Sequence, residues 1–248
     1  MSLLSLHNIT HHFTEEDHRR FLVLDKISFD VHEGEFVCLI GPSGCGKSTL
    51  LRIIAGLMKA EAGEILMHGR PPVPEEPEDA MVFQHFALFP FLNVEENIEF
   101  GLKMFDVPKA ERSKRVHHLI REMGLIGAEH RYPKELSGGM KQRVGLARAF
   151  AVQPKVLLMD EPFSALDAFT AATLRNEVLR VWQASKQTII MVTHLVEEAI
   201  ELADRIVVLS THPGRVVRIM DNHLPRPRDK RSKQFFTLVD ELTSYVRG

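Results

Sequence analysis

The stretch GPSGCGKST, Gly41 to Thr49, constrains this chain more than any other. It follows the continuous apolar run EFVCLI and precedes STLLRIIAGLM, whose apolar side carries Leu50, Ile53, Ile54 and Leu57. A buried strand, a glycine loop and an amphipathic helix in that order make a strand–loop–helix unit of an α/β domain. Gly41, Gly44 and Gly46 let backbone N–H groups close around phosphates. Lys47 is placed to reach the β- and γ-phosphates, and the Ser48 hydroxyl to hold magnesium.

A second loop raises a question. In LSGGMKQRVGLARA, Leu136 to Ala149, a serine introduces a Gly-Gly turn that opens a helix. Such a helix N-terminus suits an anion, because its first N–H groups lack partners and the helix dipole is positive there. This loop has no lysine of the first kind, so it is an incomplete cradle beside a complete one. VLLMDE places Asp160 at the end of an apolar strand, where ligands bind in α/β sheets, and Glu161 next to it as a candidate general base. His194 ends the next apolar strand, TIIMVTH, at the same kind of edge, where it can donate to a γ-phosphate.

The rest of the chain sets bounds. Its 248 residues are 44% hydrophobic and 26% charged, enough for a large core. A net charge of −2 gives no electrostatic footprint for nucleic acid. The only two cysteines, Cys38 and Cys45, fit a reducing compartment better than a disulfide framework. The start MSLLSLHNIT lacks the pattern of a signal peptide, and no apolar run approaches the ~18 residues of a spanning helix. Short alternating strands are expected before residue 35, with TEEDHRR (14–20) as an exposed hairpin loop and RPPVPEEPED (70–79) as a surface loop. A helical pattern runs from Phe91 to Ala151. Strands return in KVLLMDE, QTIIMVTH and DRIVVLS, separated by a helix with Leu174, Val178 and Trp182 on its core stripe. A polar tail follows Asp221; its basic stretch PRPRDKRSK (225–233) reads as solvated.

The phosphate loop, Gln84 after AMVF, LSGGM, LLMDEP, SALD and His194 occur in the order and spacing of an ATP-binding-cassette (ABC) ATPase, which the chain resembles from about Leu3 to Arg218. The resemblance implies an α/β fold: a P-loop NTPase core of ABC ATPase type, with an antiparallel β subdomain and a helical subdomain inserted at about 91–151. The ATPase domain would span 1–220 and the tail 221–248. Two subunits would face each other head to tail, each ATP lying between one subunit's phosphate loop and the other's signature loop. In that arrangement Ser137, Gly138 and Gly139 bind a partner's nucleotide and need no lysine of their own.

By the same resemblance Gly41, Pro42, Ser43, Gly44, Cys45, Gly46, Lys47, Ser48 and Thr49 surround ATP, and Ser48, Gln84 and Asp160 hold magnesium. Glu161 is the base, Gln84 senses metal and water, His194 holds the γ-phosphate, and Asp167 reaches across the dimer. The adenine-stacking aromatic, usually tyrosine, is best matched by Phe13, with Phe21 as the alternative. Met140 stands where glutamine is usual, a side chain that does not contact phosphate.

HLVEEAIELADRIVVLSTHPGRV, with its turn Pro213-Gly214-Arg215, resembles the nitrate, sulfonate and taurine importer branch. Membership implies a peripheral motor on the cytoplasmic face of the inner membrane, under permease subunits fed by an external solute-binding protein. The permease would dock near Phe86–Phe91, where phenylalanines cluster; Phe83 and Leu92 are expected to pack inside. An exporter or lipid-transport motor is the nearest alternative. A soluble ATPase of DNA repair or translation is a further one, though the chain lacks the second cassette, coiled coils or zinc-binding cysteines usual there.

Overall fold

Two polar interruptions shape the N-terminal strands. Asn8 and Lys26 both adopt positive φ, 52° each. They sit where the pairing register slips, Asn8 between Leu6 and Ile9 of one strand and Lys26 between Leu24 and Ile27 of the other. Asn8 N–H donates to Ser28 Oγ at 2.8 Å and Lys26 N–H to Thr10 Oγ1 at 3.3 Å, so side chains replace the lost ladder bonds. Bulges of this kind bend a strand without ending it. The short strands expected there are therefore two strands of 13 residues each.

The computed structural model describes residues 2–14, 19–71 and 79–247; most of the two loops at 14–20 and 70–79 lies outside the described residues. In chain order the first elements are β1 (Ser2–Thr14), β2 (Arg20–His32), β3 (Phe36–Ile40), α1 (Lys47–Ile54), β4 (Ala62–Met67) and β5 (Asp79–Val82). Then come α2 (Val94–Met104), α3 (Lys109–Glu122), α4 (Gly138–Ala151), β6 (Val156–Asp160) and α5 (Ala168–Ser185). The last are β7 (Thr188–Thr193), α6 (Val196–Leu202), β8 (Arg205–Leu209), β9 (Val216–Asp221) and α7 (Lys233–Arg247). They fall into two compact units, residues 1–75 with 188–248, and residues 76–187.

The first unit holds an antiparallel sheet in the order β2-β1-β4. Its other strands run β7-β3-β8, all parallel, with β9 antiparallel on β8. Every residue of β3 and β7 is buried, as expected for strands covered on both faces. Helix α1 ends at Ile54 because Gly56 turns to φ 69°, which leaves Leu57 55% exposed and off the core side assigned to it.

The segment after Asp221 also departs from its reading as a polar tail. Helix α7 buries Phe235 and Leu242, and Arg218 lies over the Tyr245 ring at 5.8 Å. Nor is 225–233 solvated throughout: Pro225, Pro227, Asp229, Arg231 and Lys233 are exposed, but Arg226, Arg228 and Lys230 turn inward. Arg228 is buried and donates to the carbonyls of Ile200 and Glu201 at 2.8 and 3.1 Å, the orphan acceptors at the end of α6. Arg226 pairs with Asp204, and Lys230 with Glu201 at 2.6 Å. Charge here serves to cap a helix. Burial, then the neighbouring Arg226, pulls Arg228 down to about 10.

The second unit pairs β5 with β6 in parallel and carries, among its described residues, the α-helices α2 to α5. Asn93 and Glu96 close a reciprocal capping box at the start of α2, at 2.8 and 2.9 Å. Along α5, Leu174, Val178 and Trp182 are buried as one stripe. The Trp182 indole N–H donates to Gln187 O at 2.8 Å just past the helix end.

Candidate functional site: a phosphate loop and an exposed helix start

In the first unit, β3 feeds directly into the loop at Gly41. Gly44 and Gly46 have φ of 79° and 91°, a region L side chains avoid. A Cβ on Gly41 would lie 2.6 Å from Leu209 O, and one on Gly46 2.7 Å from a Leu24 methyl. The loop is thus held by β2 and β8 at points only glycine fits. Lys47 is buried and turns its ammonium into the loop, donating to Gly41 O at 2.7 Å and Pro42 O at 2.8 Å. Burial raises the Cys45 thiol, against the pull of Lys47. The thiol is therefore a neutral part of the wall.

One support escaped the sequence reading. A Cβ on Gly214 would fall 2.2 Å from Cys45 O. Gly214 N–H donates to Val23 O at 2.8 Å, its carbonyl accepts from Asp25 N–H at 2.9 Å, and Arg215 pairs with Asp25 at 2.5 Å. The Pro-Gly-Arg turn, noticed only as a mark of kinship, is pressed against the back of the phosphate loop. Its close backbone approach was the reason for the glycine.

Parallel pairing of β3 with β7 sets Ile40 opposite Thr193, so Gly41 and His194 leave one sheet edge side by side. His194 is exposed. Its turn is braced from behind: Thr193 Oγ1 donates to the buried Glu198 carboxylate at 2.5 Å and accepts from Leu195 N–H at 3.1 Å. Phe13 and Phe21 are directly paired across β1 and β2, ring centroids 6.0 Å apart, with His11 edge-on to Phe13 at 5.2 Å. Phe21 lies two residues before Val23, whose side chain bounds the loop at Gly46.

In the second unit Asp160 ends β6 and is 5% exposed, while Glu161, half-buried, takes φ 46°. The pairing of Val82 with Met159 brings Gln84 to the same end of the strand pair as Asp160. Gln84 Nε2 donates to Ser164 Oγ at 3.4 Å, and Ser164 Oγ to Glu161 O at 2.9 Å, which ties the glutamine to the carboxylate's backbone.

The signature helix starts in the same unit. Ser137 caps α4 by accepting from Met140 N–H at 3.3 Å, so the Met140 contribution comes from its backbone. Asp167 caps α5, accepting from Phe169 and Thr170 N–H at 3.1 and 3.0 Å; the hydrogen bonds of Thr170 first, then that of Phe169, hold its carboxyl below the usual range. A Cβ on Gly139 would strike Thr170 at 2.8 Å, so the two helix starts are close neighbours. Ser137, Gly138, Asp167 and Phe169 are all exposed.

The phenylalanine segment differs in part from expectation. Phe83, expected inside, is 39% exposed because β5 stops at Val82; Leu92 is only half-buried. Phe91 is 70% exposed, and Phe86 and Phe89 are half-buried. Asn97, which the sequence reading missed, pins the segment. Fully buried, it accepts from Phe89 N–H at 2.9 Å and donates to the Phe89 and Leu92 carbonyls at 3.2 and 2.8 Å.

A strand-to-helix loop that buries a lysine among glycines, with acidic residues at another strand end, defines a P-loop nucleotide-binding protein. The ABC transporter family model matches residues 24–164. The chain is 45% identical to the aliphatic sulfonates import ATP-binding protein SsuB of Bacillus cereus, over 99% of this chain and 96% of that one. It is 44% identical to the nitrate import ATP-binding protein NrtD of Synechocystis, over 92% and 89%. Among solved structures, an ATP-binding cassette in a dimeric post-hydrolysis state bound to ADP and Pi superposes with a TM-score of 0.77 at 31% identity, covering 89% of this chain and 99% of that one. The chain belongs to the ABC transporter family.

Proposed function

We propose that the protein is the ATP-hydrolysing motor subunit of a membrane ABC importer for a small anion such as nitrate, a sulfonate or taurine. Binding and hydrolysis of ATP are the family's activity. The observation that carries this reading is the buried Lys47 inside a loop whose Gly41 and Gly46 stand where a Cβ would strike a neighbour. Import, and the anionic solute, rest on the relatives named for nitrate and sulfonate import. Nothing comparable favours an exporter or a soluble machine.

Gly41–Thr49 cradle the phosphates, and the Phe13/Phe21 pair offers the adenine a stacking surface. Ser48, Asp160 and Gln84 would hold magnesium; all offer oxygen, the donor this cation takes. When bound, the ion neutralises phosphate charge. The Glu161 carboxylate takes a proton from the attacking water, Gln84 orients that water, and His194 donates to the γ-phosphate. The functional cassette spans 1–220, with 221–248 as its appendage.

Ser137, Gly138, Gly139 and Asp167 serve a second copy of the chain in a head-to-tail dimer with ATP between. Permease subunits dock on the exposed aromatics of Phe86–Phe91, and an external solute-binding protein feeds them. Its place, by its likeness to import ATP-binding proteins, would be peripheral at the cytoplasmic face, held there through its permease. Among the described residues no helix is long and apolar enough to cross a membrane. Phosphate release by the purified chain with MgATP tests the enzyme, and uptake of nitrate and taurine by vesicles with the co-expressed permease tests the transporter. Absence of turnover in both settings contradicts the reading.

A further inference from the structure

The second unit contains a cavity of about 450 Å³ that the nucleotide machinery does not use. That volume falls within the ~300–1,000 Å³ of small-molecule sites. Its walls are the far ends of α4 and α5 and one face of α3. Leu119, Phe150 and Val181 give it an apolar floor. Arg115, His118 and Arg180 bring cationic or proton-donating side chains to it, against one acidic lining residue, Glu122.

Arg180 meets Glu122 at 3.4 Å; Arg115 pairs with Glu111 and reaches Ala151 O at 3.4 Å. A guanidinium has five N–H donors, and these contacts use one or two of each. Gln187 also lines the cavity, and its buried side-chain nitrogen has no hydrogen-bond partner among the described residues. The polar groups are thus an excess of donors over an apolar floor. Their complement is a molecule with an apolar body and a head that only accepts.

We infer that this cavity binds a small amphipathic organic anion, a carboxylate or sulfonate on an apolar body. The site is placed to act at a distance. Phe150 and Ala151 form the last turn of α4, and Val181 to Ser185 the last turns of α5. Those helices begin at the Ser137 and Asp167 caps. An occupant that moves their ends therefore moves the two exposed loops. This coupling rests on the proposed dimeric ATPase; binding itself does not.

Trp182 is the only tryptophan of the chain, adjacent to Val181 and bonded to Gln187 O, and so reports on the cavity. The test titrates the full chain with hexanesulfonate, hexanoate and hexylammonium while following Trp182 fluorescence. At least one of the two anions should give a saturable change, and the matching cation none; which anion binds tighter identifies the head. Arg180→Ala should weaken binding by about tenfold or more. Ala184→Phe should abolish it by filling the space, and Lys47→Ala should leave it unchanged. Lack of saturation with both anions, equal binding of the cation, or wild-type binding by both cavity variants would overturn the site. In ATPase assays the binding anion should change wild-type turnover at least twofold and leave Ala184→Phe indifferent. Binding without that change would overturn the coupling alone.

Discussion

At Gly41–Thr49 the chain closes a loop around its own lysine; at Leu136–Gly139 it leaves a helix start open to solvent. The first is walled by Leu24, Leu209 and Gly214, and its ammonium already lies among carbonyls. The second shows the Ser137 cap and Gly138 outward, next to the equally exposed Asp167 cap. Both offer N–H groups to an anion, but only the first supplies a cation and a wall. On the proposed function, the difference would account for one chain carrying both: a preformed cradle would bind by itself, whereas an open helix start would need a second molecule to bring what it lacks.

The largest effect expected from this division is at the base. Glu161→Gln should lower turnover by about 10²–10⁴-fold while MgATP binding persists, and should accumulate as a dimer on gel filtration with MgATP. Turnover at the wild-type rate would remove Glu161 from the chemistry. Ser137→Arg should nearly abolish hydrolysis too, yet leave binding to the single subunit within about twofold, because it puts bulk only where a partner's phosphate belongs. Isothermal titration separates the two; lost binding would place Ser137 in the subunit's own site.

Gly214→Ala attacks the preformed cradle from behind. With a Cβ 2.2 Å from Cys45 O, it should cost about 1–3 kcal/mol of stability and weaken nucleotide binding about tenfold. Unchanged thermal unfolding and affinity would mean that the turn does not brace the loop. The mildest change to the isolated chain is Phe91→Asp. Since Phe91 is 70% exposed, stability should stay within about 0.5 kcal/mol and ATP binding be kept. Co-purification with the permease should be lost; its survival would move the docking site elsewhere.

How much of this was legible in the sequence follows from the range of each interaction. The phosphate loop, the serine that opens α4 and the carboxylates at the end of β6 are local patterns, written within a few residues; the Asp167 cap is equally local but was not read as one. Gly214 was not legible as a support, because its partner Cys45 lies 169 positions away in the chain and the contact is backbone to backbone. Asn97 looked like an ordinary helix residue, since its four hydrogen bonds go to carbonyls and an N–H of a segment that sequence alone leaves irregular. The basic stretch at 225–233 misled by composition: charge usually means solvent, but here Arg228 turns in and caps α6.

The central claim is that the open helix start completes a partner's closed loop. Its most direct test mixes Lys47→Ala with Ser137→Arg, each in the Glu161→Gln background, and examines the mixture with MgATP by native mass spectrometry. The account predicts no dimer from either variant alone and a heterodimer carrying one nucleotide from the mixture, since only there does an intact loop face an intact signature. A nucleotide-bound homodimer of Ser137→Arg, or a mixture that stays monomeric, would contradict it.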